Sequence, residues 1–138
     1  MDNIVKLDAD RAEELGPLNK ELIADEGHGN SVSISELVER MRSWLNGSYE
    51  CYGVVRYNEL VAYCLYRDDG DFFYIRQLFT ARHIRNQSLA SKLIDHLESN
   101  LLEEKPIRLE VLVSNRQAKT FYENRGYQLY CHAMVKSS

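Results

Sequence analysis

The chain has 138 residues, of which 44% are hydrophobic and 28% are charged. This composition is typical of a soluble globular protein and excludes disordered and collagen-like classes. The length suits one domain with its own core, so we predict a single domain over residues 1–138. The formal net charge of −4 argues against a general nucleic-acid or membrane surface, because both partners attract basic proteins.

The cysteines and histidines predict neither a disulfide framework nor a metal site. Cys51, Cys64 and Cys131 lie far apart in strand-like surroundings, so we expect reduced, mostly buried thiols. The histidines outside the early loop show no metal-ligand spacing; they are His83, His96 and His132. We therefore expect no metal.

The first residues, MDNIVKLDAD, have neither a cationic region nor an apolar run, so we expect no secretory signal. No apolar stretch is long enough to span a bilayer. A cytoplasmic location is the resulting expectation.

The N-terminal third predicts a strand and helices. Residues 3–7 read as a strand, with Asp8 or Asp10 as the following helix cap. Leucines at helical spacing over residues 11–25 predict one helix, or two if Gly16 and Pro17 break it. Residues 26–31 form a loop by composition. Ser33 and Glu36 form a capping box that opens a helix ending at Gly47.

From Tyr49 the hydrophobic period changes to that of strands. Residues 49–57 and 60–67 predict a hairpin with its turn at Asn58 and Glu59, and residues 72–80 predict a third strand. A long helix follows from about Gln87 to Glu103. Its predicted buried face consists of Leu89, Leu93, Ile94, Leu97 and Leu101.

The C-terminal third predicts a strand over residues 107–113, a short helix and a last strand over residues 127–135. Ser114 or Asn115 caps the helix, which ends at Gly126. The long helix between strands 72–80 and 107–113 makes a crossover, which favours parallel pairing. We predict a mixed α/β fold, with a mostly antiparallel sheet and helices on both faces.

The stretch from Phe72 to Ala90 predicts an anion-binding site. A helix N-terminus presents free N–H groups and roughly +0.5 of partial charge, which attract phosphate. Arg82 and Arg85 lie just upstream of it. The donors would come from Asn86, Gln87, Ser88, Leu89 and Ala90. On these residues alone, a basic loop that caps a helix is an equally good interpretation.

Two motifs resemble the GNAT superfamily of N-acetyltransferases. Arg85, Ser88 and Ala90 match its pyrophosphate loop, which reads Arg or Gln, two residues, Gly, one residue, then Gly or Ala. The more specific second motif, an Asn-x-x-Ala-x-x-Phe-Tyr helix ending at glycine, matches the following residues: Asn115, Ala118, Phe121, Tyr122 and Gly126. The element order is also similar over nearly the whole chain. The resemblance implies acetyl-coenzyme A (acetyl-CoA) as donor and a primary amine of a small molecule or peptide as acceptor.

Ser88 departs from the family pattern, which has glycine at this position. Glycine lets the backbone approach a diphosphate closely. Serine keeps its own N–H and adds a hydroxyl donor, or its side chain crowds the site. Ser88 therefore leaves two function classes open: an active N-acetyltransferase, and a non-catalytic module that binds acyl-CoA or a protein partner.

The resemblance also implies roles for individual residues. In such a fold a bulged strand separates from its parallel neighbour, and the backbone groups of Leu78, Phe79 and Thr80 would bind the pantetheine arm. A backbone N–H near Leu78 or Phe79 would donate to the thioester carbonyl. Tyr122 would bind the cofactor and protonate the departing thiolate. Asn115 would cap its helix, contact the cofactor arm, or do both.

The base and the acceptor pocket are less defined. Glu110 is the candidate base, and a water chain is the alternative. Glu26 and His28 lie in an early loop that relatives use for the acceptor, and Tyr74 and Arg76 are further candidates for lining its pocket. The net charge of −4 is too small to decide which amine is accepted. Edge strands in so small a domain allow a homodimer.

Overall fold

The computed structural model describes residues 2–27, 32–85 and 88–138. The regular elements occur in the following order: β1 (Asp2–Leu7), a 3-10 turn (Ala9–Arg11), α1 (Ala12–Asp25), α2 (Ile34–Asn46), β2 (Tyr49–Arg56), β3 (Glu59–Asp68), β4 (Phe73–Thr80), a second 3-10 turn (Arg82–Ile84), α3 (Leu89–Leu101), β5 (Ile107–Leu109) and α4 (Arg116–Glu123).

The strands form one sheet in the order β1-β2-β3-β4-β5. The first four strands pair antiparallel, and β4 pairs parallel with β5. The parallel pair follows from the α3 crossover, since a strand that returns after a helix enters the sheet in the same direction. The predicted mixed α/β fold is confirmed.

Helices cover both faces of the sheet. On one face, α1 and α2 pack over Tyr63 and Phe79. Gly16 lets these two helices approach closely, because a Cβ there would lie 2.4 Å from Cγ2 of Val38. On the other face α3 buries all five residues predicted for it, each at most 8% exposed. These two cores fix the positions of the helix ends around β4.

The helix starts follow local chemistry. Asp8 caps the first 3-10 turn through the N–H of Asp10. α1 then continues as one helix through Pro17. The predicted capping box is present, since Ser33 and Glu36 bond each other's backbone N–H groups. The hairpin turn lies at Tyr57 and Asn58, one residue earlier than predicted. Both have positive φ, at 51° and 66°, as a two-residue type I′ turn requires.

Two strand predictions near the C-terminus are wrong. β5 spans only Ile107–Leu109, and Val113, within the predicted strand, is 95% exposed. Residues 127–135 contain no strand. A strand needs a partner for its N–H and C=O groups, and β5, with only three paired residues, offers no long ladder. Cys131 is consequently exposed, whereas Cys51 and Cys64 are buried as expected.

In the described part of the chain, no helix combines the length and the apolarity needed to cross a bilayer.

Candidate functional site

A β-bulge in β4 is the first component of the site. Leu65 pairs with Gln77, whereas Tyr66 pairs with Ile75, so Arg76 is an extra residue on β4. A bulge of this kind bends its strand and redirects side chains. Arg76 and Gln77 both point to the face of α1 and α2. Gln77 accepts a hydrogen bond there from the Tyr63 hydroxyl at 2.7 Å.

Beyond the bulge, β4 has no partner strand on one side among the residues that the structure describes. Pairing with β5 stops at Ile75 and Leu109, whereas β4 continues to Thr80. The edge of residues 76–80 that faces β5 is therefore unpaired. Leu78, Phe79 and Thr80, the residues predicted to hold the pantetheine arm, lie on this stretch. An unpaired strand edge can accept an extended ligand as a further strand.

A cleft of about 510 Å³ opens at the end of β4. Its lining comes from the end of β4, the following turn, the first turn of α3 and one face of α4: Thr80, Arg85, Ser88, Leu89, Ala90, Ser91, Gln117 and Phe121. The first five were predicted as cofactor-binding residues from the sequence. Ser91 and Gln117 were missed, although Gln117 and Phe121 stand four residues apart on one helix face, a spacing that indicates a shared surface.

The N-terminus of α3 borders this cleft. Ser88 precedes the helix with φ 61° and ψ 24°, and its side chain makes no capping hydrogen bond. This left-handed conformation is the one that glycine adopts most readily. The backbone at Ser88 therefore has a conformation that glycine would adopt without a Cβ penalty, although the residue is serine. Asn86 and Gln87 lie outside the described residues.

Arg85 is held at the cleft by three contacts. Its Nε donates to the Thr80 carbonyl at 3.2 Å, and its guanidinium lies 5.0 Å from the centre of the Phe79 ring. It also forms an ion pair with Asp25, the last residue of α1. Arg82 donates twice to the same carboxylate, at 3.1 and 3.0 Å.

The two arginines keep Asp25 ionised. Partial burial alone would raise the pKa of this carboxyl, but the hydrogen bonds from Arg85 and Arg82 outweigh it and lower the pKa. A negative charge therefore competes for the arginine that was predicted to bind an anion. No sequence pattern could have indicated Asp25, because it stands 60 residues from Arg85.

Tyr122 packs with the core under α3 and contacts the rings of Phe121 and Tyr127. Burial raises the pKa of its phenol, so the hydroxyl remains protonated at neutral pH. No hydrogen-bond partner for this hydroxyl is found among the described residues. Asn115 caps α4 by accepting from the N–H of Ala118 at 3.0 Å. No described group therefore accepts the proton of the Tyr122 hydroxyl. The Tyr122 ring contacts that of Phe121, which lines the cleft.

Glu110 and Tyr74 are brought together at the end of β5. The Tyr74 hydroxyl donates to Oε1 of Glu110 at 2.8 Å. Burial, followed by this hydrogen bond, raises the pKa of Tyr74 to about 12. Glu26 lies exposed just beyond α1, and His28 lies outside the described residues. The pair can therefore accept a proton through Glu110 beside the point where β4 and β5 part.

Histidine and cysteine do not assemble a metal centre in residues 2–27, 32–85 and 88–138, where no group of three His, Cys, Asp or Glu side chains clusters. His83 contacts Glu59, and His96 packs edge-on against Tyr52.

Comparison with known proteins agrees with this geometry. The profile of the Acetyltransferase (GNAT) family matches residues 19–127. No curated protein sequence matches the chain significantly.

Solved structures share the fold over almost the whole chain. A possible acetyltransferase from Clostridium difficile 630 has a TM-score of 0.85 and 15% identity, covering 100% of this chain and 97% of that one. The aminoglycoside N-acetyltransferase AAC(6')-Iy in complex with CoA has a TM-score of 0.80 and 10% identity, covering 100% and 95%. A ribosomal-protein-alanine N-acetyltransferase from Brucella melitensis biovar Abortus 2308 has a TM-score of 0.78 and 16% identity, covering 100% of both chains. With the family profile matched over most of its length, this chain belongs to the GNAT family of acetyltransferases.

Proposed function

We propose that this protein is an acetyl-CoA-dependent N-acetyltransferase that acetylates a primary amine of a small molecule or peptide by direct attack. One observation carries the proposal: a single cleft joins the unpaired end of β4, the N-terminus of α3 and the face of α4. The first two are the places where an extended arm and a diphosphate are needed, and the proposed proton donor Tyr122 follows Phe121, which lines the cleft. The CoA complex of a structural neighbour supports the choice of cofactor.

The residues at the cleft fit CoA in two parts. The diphosphate would lie against the first turn of α3, where free N–H groups and the helix dipole favour an anion. Arg85 would supply the cation there. The pantetheine arm would run along the unpaired edge at Leu78, Phe79 and Thr80. Asn115 would reach the arm with its amide N–H₂ group, because the side-chain oxygen already caps α4.

When bound, acetyl-CoA supplies an acetyl group activated as a thioester. A backbone N–H of Leu78 or Phe79 would donate to the carbonyl oxygen as negative charge develops on it. Tyr122 would give its proton to the sulfur as the bond between carbon and sulfur breaks. Holding the amine and the thioester together removes much of the entropic barrier, so no covalent enzyme intermediate is required.

The attacking amine must lose a proton before or during attack. Glu110 is the proposed acceptor of that proton, directly or through a water chain, and its hydrogen bond to Tyr74 fixes its position. Glu26, His28, Tyr74 and Arg76 are the proposed acceptor-binding residues.

A non-catalytic CoA-binding or protein-interaction module is the second candidate. The ion pair between Arg85 and Asp25 favours it, because this pair occupies the cation needed for the diphosphate. The homodimer, the cytoplasmic location, the absence of a metal and the single-domain organisation stay predictions from the sequence.

Cofactor binding and turnover separate the two candidates. Acetyl-CoA at 100 times its Kd should add about 2.7 kcal/mol to the free energy of unfolding and raise Tm by several degrees. NAD, which has a diphosphate but no pantetheine arm, is the control and should raise Tm less. Thiol release with a panel of amines then tests turnover. Stabilisation without turnover would leave the CoA-binding module. No stabilisation would exclude both the N-acetyltransferase and the CoA-binding module, and would leave only a protein-interaction module.

Tyr122→Phe should lower kcat about 100-fold and leave the Kd for acetyl-CoA almost unchanged, because it removes only the proton donor. Since burial raises the pKa of Tyr122, the wild-type kcat should show no basic limb near the ordinary tyrosine pKa of 10. Tyr127→Phe is the matched control, since its hydroxyl bonds Glu98 instead. Equal kcat values for the two variants would remove Tyr122 from the acid role.

Ser88→Gly should stabilise the fold by about 1 kcal/mol, because glycine adopts the left-handed conformation without the Cβ penalty. Urea unfolding measures this as a higher midpoint with an unchanged slope. Ser88→Ala keeps the Cβ and should give no gain. CoA affinity that survives both substitutions would show that the backbone of this residue, rather than its hydroxyl, contacts the cofactor.

Asp25→Asn should tighten CoA binding by up to about fivefold, because the exposed ion pair that competes for Arg85 is worth at most about 1 kcal/mol. Isothermal titration at low and high salt measures it, and the gain should shrink at high salt. Asp69→Asn removes the carboxylate partner of Arg67, away from the cleft, and should leave the Kd unchanged. Weaker CoA binding by Asp25→Asn would mean that the ion pair positions Arg85 rather than competing for it.

A further inference from the structure

Two arginines lie against the same tryptophan on the sheet face covered by α1 and α2. The guanidinium carbon of Arg40, on α2, is 4.5 Å from the centre of the Trp44 ring. That of Arg76, the bulged residue of β4, is 4.7 Å from the same ring and 5.9 Å from the ring of Tyr49. We refer to Arg40, Trp44 and Arg76 as the arginine–tryptophan cluster.

Neither arginine of the cluster has a carboxylate within 4.0 Å among the residues that the structure describes. Arg40 donates to Oδ1 of Asn19 at 2.8 Å, and Arg76 donates to the Tyr49 hydroxyl at 3.2 Å. Both of those acceptors are neutral. Other arginines that support the fold are paired with acids, and examples are Arg11, Arg42, Arg67, Arg82 and Arg125.

The cluster also leaves polar groups unsatisfied. Nε of Arg40 and Nδ2 of Asn19 are buried, and neither has a hydrogen-bond partner in the described part of the chain; Asn19 itself is fully buried. Burial and the nearby charge of Arg76 both lower the pKa of Arg40. Arg40 is partly buried, whereas Arg76 is exposed, and even partial burial of a charge without a counter-charge is unfavourable. An anion in contact with these guanidiniums would reduce this unfavourable term, because Arg presents planar donors that suit a carboxylate.

The position of the cluster connects it to the proposed reaction. Arg76 lies two residues before Leu78, and the backbone of Leu78 is proposed to contact the thioester. On the same face Tyr63 bonds Gln77, the residue after Arg76. Burial raises the pKa of Tyr63, and the charge of Glu26 adds to this rise, so Glu26 lies near the same region. Positive and negative groups therefore flank one face of the bulge.

We propose that the arginine–tryptophan cluster binds the carboxylate of the acceptor, so that the acceptor is a small amino acid or another small amine that carries a carboxylate. This inference rests on the proposed N-acetyltransferase function. It goes beyond the fold comparison, which includes an enzyme named for aminoglycosides. Aminoglycosides are polycations, and two guanidiniums without counter-charges would repel them.

The fluorescence of Trp44 tests this proposal directly. Trp44 is the single tryptophan of the chain, so its emission reports on this cluster alone. L-amino acids should change the emission in a saturable way, with and without CoA, and the corresponding L-amino-acid amides should bind at least about tenfold more weakly, because they lack the charge that the arginines pair with. An aminoglycoside should give no saturable change.

Substitutions separate a binding role from a packing role. Arg76→Gln removes one exposed guanidinium and should weaken carboxylate binding about tenfold without changing the binding of acetyl-CoA. Arg76→Lys keeps the charge and should recover part of the affinity. Arg42→Gln is the matched control, because Arg42 lies on the same helix and already pairs with Glu39; it should leave carboxylate binding unchanged.

The outcomes distinguish this proposal from the proposed function. Equal affinity and equal acetylation of amino acids and their amides would overturn the carboxylate subsite and leave the N-acetyltransferase standing. An unresponsive Trp44 would overturn the subsite as well, and would show that the two arginines only pack against the ring. Carboxylate binding without stabilisation by acetyl-CoA would support the subsite and exclude the proposed transfer reaction. In an active enzyme, Arg76→Gln should raise KM for the amino acid and leave kcat close to wild type.

Discussion

The extra residue in β4 is the constraint on which both halves of the site depend. With Arg76 bulged out, β4 bends, stays paired with β3 and parts from β5 after three residue pairs. The bend leaves the edge of β4 that faces β5 free for an extended ligand. It also places Arg76 on the sheet face covered by α1 and α2, against Trp44. A regular β4 would alternate its side chains and continue its ladder with β5. A β4 strand without the bulge would therefore both lose the open edge and present Arg76 in another direction.

The second requirement is that the N-terminus of α3 stays beside this open edge. Five buried side chains hold α3 on the sheet, and burying each contributes roughly 1.5–3 kcal/mol. The left-handed conformation of Ser88 costs only about 1 kcal/mol. Packing of the helix therefore outweighs the local strain at Ser88, and this serine keeps a left-handed conformation that glycine adopts more readily. The departure from the family motif at Ser88 thus adds a side chain at a position whose backbone conformation would also suit glycine.

What the sequence could predict is set by the range of the interactions involved. The buried face of α3, the capping box at Ser33 and the parallel crossover follow from periodicity, local hydrogen bonds and chain handedness. These features can therefore be predicted from residues that are close together in the sequence. The bulge at Arg76, the ion pair of Asp25 with Arg85 and the contact of Arg76 with the Trp44 ring depend on residues far apart in the chain. The strand expected over residues 127–135 failed for the same reason: its composition suits a strand, but pairing requires a neighbour.

The cluster also shows why net charge is a poor guide to acceptor preference. The total of −4 comes from carboxylates spread over the surface, and salt screens charges beyond about 8 Å at physiological ionic strength. Many of those carboxylates are moreover paired with arginine or lysine at the surface. Arg40 and Arg76 lie within 5 Å of one ring centre and are not neutralised by any described carboxylate. With the proposed carboxylate subsite, an amine that enters along this face would meet the local field of two guanidiniums, and this local field, rather than the sum over the chain, would set which acceptor is stabilised.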